Sequence, residues 1–188
     1  MIQAVIFDMD GLIIDSEPLQ SQAFEAVIRE YGKEPILNDN NLVQTIGLRS
    51  KENWEILKHK HGIEEDTDTL VKKRRVIYWE LLKTLNTSQP GLTSLINLLQ
   101  RKNFLLAVAS SSSLQQIQQV LDALQIKHYF AAMVSGEEVK RGKPFPDMLL
   151  ETARRLAVAP SNCLALDDAP SGIAAAKAAG MYTIAVPN

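Results

Sequence analysis

The sequence is organised around residues 4–17, which are Ala-Val-Ile-Phe-Asp-Met-Asp-Gly-Leu-Ile-Ile-Asp-Ser-Glu. The apolar run at 5–7 is typical of a short strand buried on both faces, and it stops at a carboxylate. Side chains two apart on an extended chain point the same way, so Asp8 and Asp10 are expected to face one point beyond the strand. Gly11 permits the tight turn that leads the chain away.

The two carboxylates of Asp8 and Asp10 need a cation between them. At about 4 Å apart they repel by about 4 kcal/mol at an effective dielectric of about 20, and a hard divalent ion reverses this into binding. The pair therefore predicts a magnesium (Mg2+) site. The competing interpretation is that both residues merely end a strand, since aspartate and glycine are common in turns. The rest of the chain has to decide between the two.

Length and composition limit the possible classes of protein. The chain has 188 residues, of which 46% are hydrophobic, so it can bury a core as one domain with an insertion or as two small domains. Its 20 basic and 22 acidic residues give a net charge of -2, which predicts no nucleic-acid partner. The sequence contains neither a secretory leader pattern nor an apolar run of about 18 residues, so we expect no membrane insertion and a cytoplasmic location. The single cysteine, Cys163, excludes an internal disulfide and a cysteine metal cluster.

Helical periodicity dominates the region that follows the first strand. A helix start is indicated at residues 15–18, with Ser16 as the expected N-cap, and apolar residues recur at helical spacing until Gly32. Further helices are predicted at about 50–61 and about 67–85. The predicted domains are a core made of residues 1–16 and 88–188 and an inserted helical domain at 17–87.

From Pro90 onward, helices alternate with short strands. We predict helices at 92–101, 113–124, 147–157 and 171–179, and strands at 4–7, 104–109, 132–135, 163–166 and 182–186. This alternation is typical of a doubly wound, Rossmann-like α/β fold with a parallel sheet and helices on both faces. Such sheets bind ligands beyond the carboxyl ends of their strands. The residues that follow each strand are therefore candidates for one site.

Four of these strand ends carry polar side chains suited to a phosphate and a metal. They are Asp8 and Asp10, then Ser110 to Ser113, then Lys140, Arg141 and Lys143, and finally Asp167 and Asp168. Hydroxyls and amides at a helix start suit a phosphate, a lysine neutralises it, and carboxylates hold a metal. Each feature alone also has an ordinary explanation as a helix cap, a solvated lysine or a turn. Their placement at successive strand ends favours a shared site.

These residues resemble the motifs of the haloacid dehalogenase superfamily, in its helical-cap subgroup of beta-phosphoglucomutase and sugar-phosphate phosphatases. The motifs are Asp8-Met-Asp-Gly-Leu, Asp15-Ser-Glu-Pro, Val108-Ala-Ser-Ser, Gly142-Lys-Pro-Phe-Pro-Asp and Leu166-Asp-Asp-Ala-Pro-Ser-Gly, which together cover nearly the whole chain. The resemblance implies a magnesium-dependent phosphatase that acts on a small phosphorylated metabolite. It also implies that residues 17–87 form a cap domain that closes over the cleft.

The resemblance also implies a role for each motif residue. Asp8 is the expected nucleophile, which forms an aspartyl-phosphate, and Asp10 is the expected acid and base. Ser110 and Lys143 are expected to hold the phosphoryl oxygens, and Ser111 is a further candidate for substrate binding. The implied metal ligands are Asp8, Asp168 and the backbone carbonyl of Asp10, with Asp167 close to the metal.

Three residues of the cap are candidates for contacting the rest of the substrate. Gly47, Arg49 and Lys51 lie near a predicted helix start, and Arg49 suits a second anion or sugar hydroxyls. The alternative interpretation is a solvated basic helix start. Nothing in the sequence predicts an obligate partner chain, so we expect a monomer.

Four other functions compete with phosphate ester hydrolysis as interpretations of these residues. A phosphomutase is the nearest alternative, but Gln20 and Ser113 stand where the beta-phosphoglucomutase pattern has a histidine and a lysine. A receiver-like phosphoacceptor module is disfavoured because its acidic pair follows the first strand, whereas Asp167 comes late here. A dehalogenase is disfavoured by the presence of Asp10 and Asp168. A catalytically silent binding protein gains no support from an intact motif set.

The family pattern also makes one expectation about the end of the sheet. Related members often continue for some tens of residues past the last predicted strand, adding another strand and helix. We therefore expect an exposed sheet edge at 182–186.

Overall fold

The central feature of the fold is a five-stranded parallel sheet. The computed structural model describes residues 1–35, 48–83 and 88–186. The strands are β1 (Ala4–Phe7), β2 (Leu105–Ser110), β3 (Ala132–Ser135), β4 (Cys163–Asp167) and β5 (Tyr182–Ala185). Their order in the sheet is β3-β2-β1-β4-β5, so β1 pairs with β2 on one side and with β4 on the other. The carboxyl end of β1 therefore lies at the point where the chain switches from one half of the sheet to the other.

Helices cover both faces of the sheet. The described helices are α1 (Glu17–Glu30), α2 (Ser50–His61), α3 (Thr67–Leu82), α4 (Leu92–Arg101), α5 (Leu114–Ala123), α6 (Asp147–Leu156) and α7 (Pro170–Ala178). Because side chains of a strand alternate, Ala4 and Ile6 pack toward α6 and α7, while Val5 and Phe7 pack toward α4 and α5. Each residue of β1 is buried. The predicted doubly wound α/β fold is confirmed.

Most predicted boundaries agree closely with the structure. The strands predicted at 4–7 and 132–135 and the helix predicted at 92–101 agree at both ends, and each other core element differs by at most one residue at an end. The helix predicted to run to 85 ends at Leu82, with Lys83 as its C-cap; residues 84–87 lie outside the described part. Three short 3-10 turns were missed, because a single turn leaves no periodic pattern. They are Lys127–Tyr129, Gly136–Glu138 and Pro160–Asn162.

The inserted helices have an apolar core of their own. In it, Phe24 of α1 meets Trp54 of α2 edge to face, with ring centroids 5.1 Å apart, and Leu70 of α3 packs against the same cluster. A separate core of this kind suits a cap domain that moves as one unit. The domain bounds of 17–87 stay a prediction. Across the described ranges, no helix combines the length and apolar character needed to cross a membrane.

The expected exposed edge is formed by β5. Within the described residues this strand pairs with β4 alone, and its Tyr182 and Ile184 side chains are 60% and 49% exposed. Both belong to the face of the sheet that carries α4 and α5, since they lie opposite Leu164 and Leu166.

Candidate active site

The carboxyl ends of the central strands open into a cavity of about 660 Å³. The strand ends and the loops that follow them contribute Asp8, Asp10, Ser110 and Lys143 to its lining, and the inserted helices contribute the opposite wall. A volume of this size suits a small metabolite. The cavity thus lies where a doubly wound sheet is expected to bind its ligand.

Asp8 lies at the floor of the cavity beside a buried lysine. It is 5% exposed, and its backbone N–H donates to the carbonyl of Leu166 at 3.0 Å, which fixes it at the end of β1. The Nζ atom of Lys143 lies 3.0 Å from Asp8 Oδ1 and 2.7 Å from Asp167 Oδ2. Strand ends that are far apart in sequence therefore bring a carboxylate pair and one cation together.

Burial and charge shift the proton affinities of these groups. Burial raises the pKa of Asp8 well above its ordinary value; Lys143 opposes the rise, and the charges of Asp167 and Asp10 add to it. Burial also disfavours the Lys143 ammonium, but Asp8 and Asp167 outweigh it, so the pKa of Lys143 is raised. Lys143 is therefore a fixed cation, and the acidic groups around it leave an excess of negative charge that a further cation can neutralise.

Three carboxylates meet at this point in an arrangement that could hold a metal ion. Asp8, Asp167 and Asp168 each offer one oxygen, and these oxygens lie within 4.8 Å of one another. Two glycines leave the space for them: a Cβ on Gly11, whose φ is +83°, would lie 2.0 Å from Asp168 Oδ2, and one on Gly172 would lie 1.9 Å from Asp167 Oδ2. Hard carboxylate oxygens are the ligands that magnesium prefers, so the residues present fit that ion.

The Oδ1 atom of Asp10 accepts hydrogen bonds from side chains that lead into the inserted helices. Ser16 Oγ donates at 2.5 Å, Gln20 Nε2 at 2.8 Å and the Tyr78 hydroxyl at 3.3 Å. Ser16 stands at the predicted N-cap position of α1, but its side chain makes no capping hydrogen bond, because its hydroxyl donates to Asp10 instead. Gln20 replaces the family histidine with an amide that donates to Asp10. The Asp10 carboxylate thus accepts hydrogen bonds from hydroxyl and amide donors. The predicted role of Asp10 in metal binding concerns its backbone carbonyl.

Arg74 and Tyr78 are contacts that the sequence interpretation missed. Arg74 of α3 is buried, donates to Gln20 Oε1, and stacks over Phe24 and Tyr78 at 4.5 Å and 4.8 Å. Burial lowers the pKa of Arg74 to about 10, with Tyr78 and Asp10 opposing the shift. A signal was present: Leu70, Arg74 and Tyr78 recur at intervals of four on α3, so a charged residue stands within the apolar stripe.

The Oδ2 atom of Asp10 faces the serine segment after β2. Ser112 Oγ lies 2.7 Å from it and Ser110 Oγ 3.2 Å, and the Ser110 hydroxyl also accepts from the backbone N–H of Ser112 at 3.0 Å. Ser111 lines the cavity beside them. Ser113 is a helix cap: its hydroxyl accepts from the backbone N–H of Gln116 at the start of α5. The sequence indicated Ser112 only as one member of the serine run, and it did not indicate the contact of Ser112 with Asp10.

Two of the three candidate residues of the cap lie at the cavity. Arg49 and Lys51 both line the cavity, and Gly47 lies outside the described residues. Arg49 donates to Glu52, and Lys51 Nζ lies 2.8 Å from Asp68 Oδ1. Lys140 and Arg141 do not line the cavity, and Arg141 pairs with Asp147 at 2.8 Å instead. Of the three basic residues after β3, the structure therefore brings Lys143 to the site.

Comparison with known proteins places this arrangement in a family. The sequence model described as haloacid dehalogenase-like hydrolase matches residues 5–186. The chain is 34% identical over 187 residues to the phosphorylated carbohydrates phosphatase of Thermotoga maritima, covering 97% of this chain and 84% of that protein. It is 33% identical over 195 residues to hexitol phosphatase B of Escherichia coli, covering 99% of this chain and 84% of that protein.

A solved structure shows the same likeness. The beta-phosphoglucomutase of Clostridium difficile superposes with a TM-score of 0.91 at 26% identity, covering 100% of this chain and 86% of that one. The fold, the motif positions and the match over nearly the whole length agree, and the resemblance predicted from the motifs is confirmed. This chain belongs to the haloacid dehalogenase-like hydrolases.

Proposed function

We propose that this protein is a magnesium-dependent phosphatase that hydrolyses a small phosphorylated metabolite, a sugar phosphate, through an aspartyl-phosphate on Asp8. The observation that carries the proposal is the buried Asp8 beside Lys143, facing a cavity that also contains the hydrogen-bonded carboxylate of Asp10. The names of the two similar phosphatases support a phosphorylated carbohydrate as the substrate. We place this activity in the cytoplasm and assign it to a monomer.

In the first step, Asp8 acts as the nucleophile. A carboxylate oxygen of Asp8 attacks phosphorus, and the bond from phosphorus to the substrate oxygen breaks, which leaves the phosphoryl group on Asp8. Lys143, held between Asp8 and Asp167, keeps a positive charge beside the equatorial oxygens, and Ser110 adds a hydroxyl donor. A magnesium ion bound by Asp8, Asp167 and Asp168 would supply further neutralisation of the phosphoryl charge.

Asp10 supplies and then removes a proton. Gln20 Nε2 can only donate, so it favours a negative Oδ1, whereas the Ser110 and Ser112 hydroxyls beside Oδ2 can either donate or accept. The exchangeable proton of Asp10 therefore resides on Oδ2. It passes to the departing substrate oxygen, and in the second step Oδ2 takes a proton from the water that releases phosphate from Asp8.

The inserted helices complete the site. Gln20 and Tyr78 reach Asp10, and Arg74 reaches Gln20, only when α1 and α3 lie over the carboxyl end of the sheet. Closure of the cap therefore orders the acid and base, and it excludes bulk water from the cavity at the same time.

Net hydrolysis is expected when the purified protein is incubated with a panel of phosphorylated metabolites and magnesium. A sugar phosphate should release inorganic phosphate, measured by a colorimetric assay, and beta-glucose 1-phosphate should not give glucose 6-phosphate even with a bisphosphate primer. The reason is that Ser113 and Gln20 are uncharged where the beta-phosphoglucomutase pattern has a lysine and a histidine. Isomerisation that is faster than phosphate release would establish the mutase alternative instead.

Activity is expected to depend on magnesium. A chelator should abolish phosphate release and added magnesium should restore it, because the acidic group around Lys143 cannot be neutralised by that lysine alone. Calcium should inhibit, since its larger and looser ligand shell spoils the in-line geometry. Full activity after exhaustive chelation would contradict the proposed metal site.

A further inference from the structure

Cationic side chains of the inserted helices reach the cavity, but acidic neighbours pair with them. The pairs are Arg49 with Glu52, Lys51 with Asp68 at 2.8 Å and Arg75 with Glu137 at 2.9 Å, and all six residues line the cavity. Lys72, which also lines it, is exposed, so its charge is screened by water. Arg74 also lines the cavity, but it is buried, donates to Gln20 Oε1 and stacks over two aromatic rings. The part of the wall around Arg49 therefore presents paired charges rather than an open cationic site.

The pair of Arg49 and Glu52 is the most constrained of these. Arg49 Nε donates to Glu52 Oε1 at 2.7 Å, Arg49 Nη2 donates to the same oxygen, and the Arg49 backbone N–H donates to Glu52 Oε2 at 3.1 Å. Both oxygens of Glu52 are engaged at the first turn of α2, where a carboxylate is also favoured by the helix dipole. Glu52 is thus anchored where it neutralises Arg49.

The stem of Arg49 is fixed against the core. A Cβ on Gly142 would lie 2.8 Å from Arg49 Nε, and a Cβ on Gly136 would lie 3.3 Å from Arg49 Cγ and 3.1 Å from the Cα of Ser111. Arg49 therefore passes through a space left by two glycines, next to the serine segment of the site. Its guanidinium has little freedom to leave Glu52 for an incoming anion.

We infer that Glu52 determines substrate selectivity: by occupying Arg49, it excludes a second phosphate or carboxylate and favours a substrate whose remaining part is uncharged and bears hydroxyls. The inference rests on the proposed function and narrows its substrate class. A second anion would meet the Glu52 carboxylate and would find Arg49 already paired. A hydroxyl has no such penalty, since it can accept from the remaining guanidinium N–H groups or donate to Glu52.

The test compares a hexose monophosphate with the corresponding hexose bisphosphate in the Glu52→Gln variant. Glutamine keeps the size of the side chain and an acceptor for the Arg49 backbone N–H, but it removes the charge that pairs with Arg49. We expect the ratio of kcat/KM for the bisphosphate to that for the monophosphate to rise about tenfold or more, as one gained charge-assisted hydrogen bond predicts. Glu55→Gln is the matched control, because Glu55 lines the cavity but bonds to Thr67 at 2.5 Å.

A second variant shows whether the gain acts through Arg49. In Glu52→Gln/Arg49→Met the rise in the ratio should disappear, because the cation that the second phosphate would meet is gone. A ratio that rises as much in Glu52→Gln/Arg49→Met as in Glu52→Gln would overturn the inference, because it would show that the gain does not act through Arg49.

Calorimetric binding in an Asp8→Asn background provides a readout that needs no turnover. Glu52→Gln should tighten binding of the bisphosphate and leave binding of the monophosphate unchanged. Equal effects on both ligands would overturn the inference and leave the proposed hydrolysis intact. Phosphate release from no ester at all would overturn the proposed function, and the inference with it.

Discussion

Replacing Asp8 with asparagine is expected to abolish phosphate release, by several orders of magnitude, without loss of the fold. The amide is nearly isosteric with the carboxylate, but it cannot attack phosphorus and it removes one oxygen from the proposed metal group. Lys143 would still have Asp167 as a partner at 2.7 Å, so no buried cation is left alone.

The stability of this variant is a separate part of the same prediction. The pKa of Asp8 is raised by burial, so the ionised side chain lowers the free energy of unfolding at pH values above its unfolded pKa. Removing that charge should therefore leave Tm at pH 7 in the absence of magnesium unchanged or higher. Asp122→Asn is the matched control, because it changes an exposed carboxylate that pairs with Lys127. Near wild-type turnover in Asp8→Asn would refute the nucleophilic mechanism.

The residues at the strand ends could be predicted because two local signals coincide there. An apolar run that stops at Asp8 marks the strand, and the parallel topology implied by alternating elements brings Ser110, Lys143 and Asp167 to the same edge. Neither signal needs knowledge of side-chain packing. Sequence reasoning therefore predicted the fold correctly, and Asp8, Asp10, Ser110 and Lys143 line the cavity as expected, whereas Lys140 and Arg141 do not.

The contacts made by the cap were not predictable in the same way. Arg74 reaches Gln20, and Gln20 reaches Asp10, only through the packing of α1 against α3 and of both over the sheet. Helical periodicity predicted the helix that carries Tyr78, but it carries no information about which polar group the Tyr78 hydroxyl would meet. Likewise, the sequence indicated Arg49 as a candidate for substrate binding. It did not indicate that Arg49 pairs with Glu52, because that pairing depends on the side-chain geometry at the start of α2.

Replacing Asp10 with asparagine is expected to slow hydrolysis of a sugar phosphate by about 10²- to 10⁴-fold, the usual contribution of general acid and base catalysis. The amide oxygen can still accept from Gln20 at the position of Oδ1, and the amide nitrogen can donate to the Ser112 hydroxyl at the position of Oδ2, so the cap should close normally. What is lost is the proton on Oδ2, which the departing sugar oxygen requires.

A substrate with a good leaving group separates the two duties of Asp10. The nitrophenolate of p-nitrophenyl phosphate departs without protonation, so Asp10→Asn should still transfer the phosphoryl group to Asp8 at a substantial rate. Release of that group by water also needs Asp10, so turnover should stall after the first cycle. Stopped-flow absorbance should therefore show a burst of about one nitrophenolate per enzyme, followed by slow steady-state release.

The Asp8→Asn variant is the control for this burst, because it lacks the nucleophile and should give none. Sugar phosphate should give no comparable burst in Asp10→Asn, since its leaving oxygen needs the proton. A burst with both substrates would mean that Asp10 acts only as the base in the second step. Equal slowing of both substrates without any burst would instead mean that Asp10 acts by holding the closed cap through Gln20 and Tyr78 rather than by moving a proton.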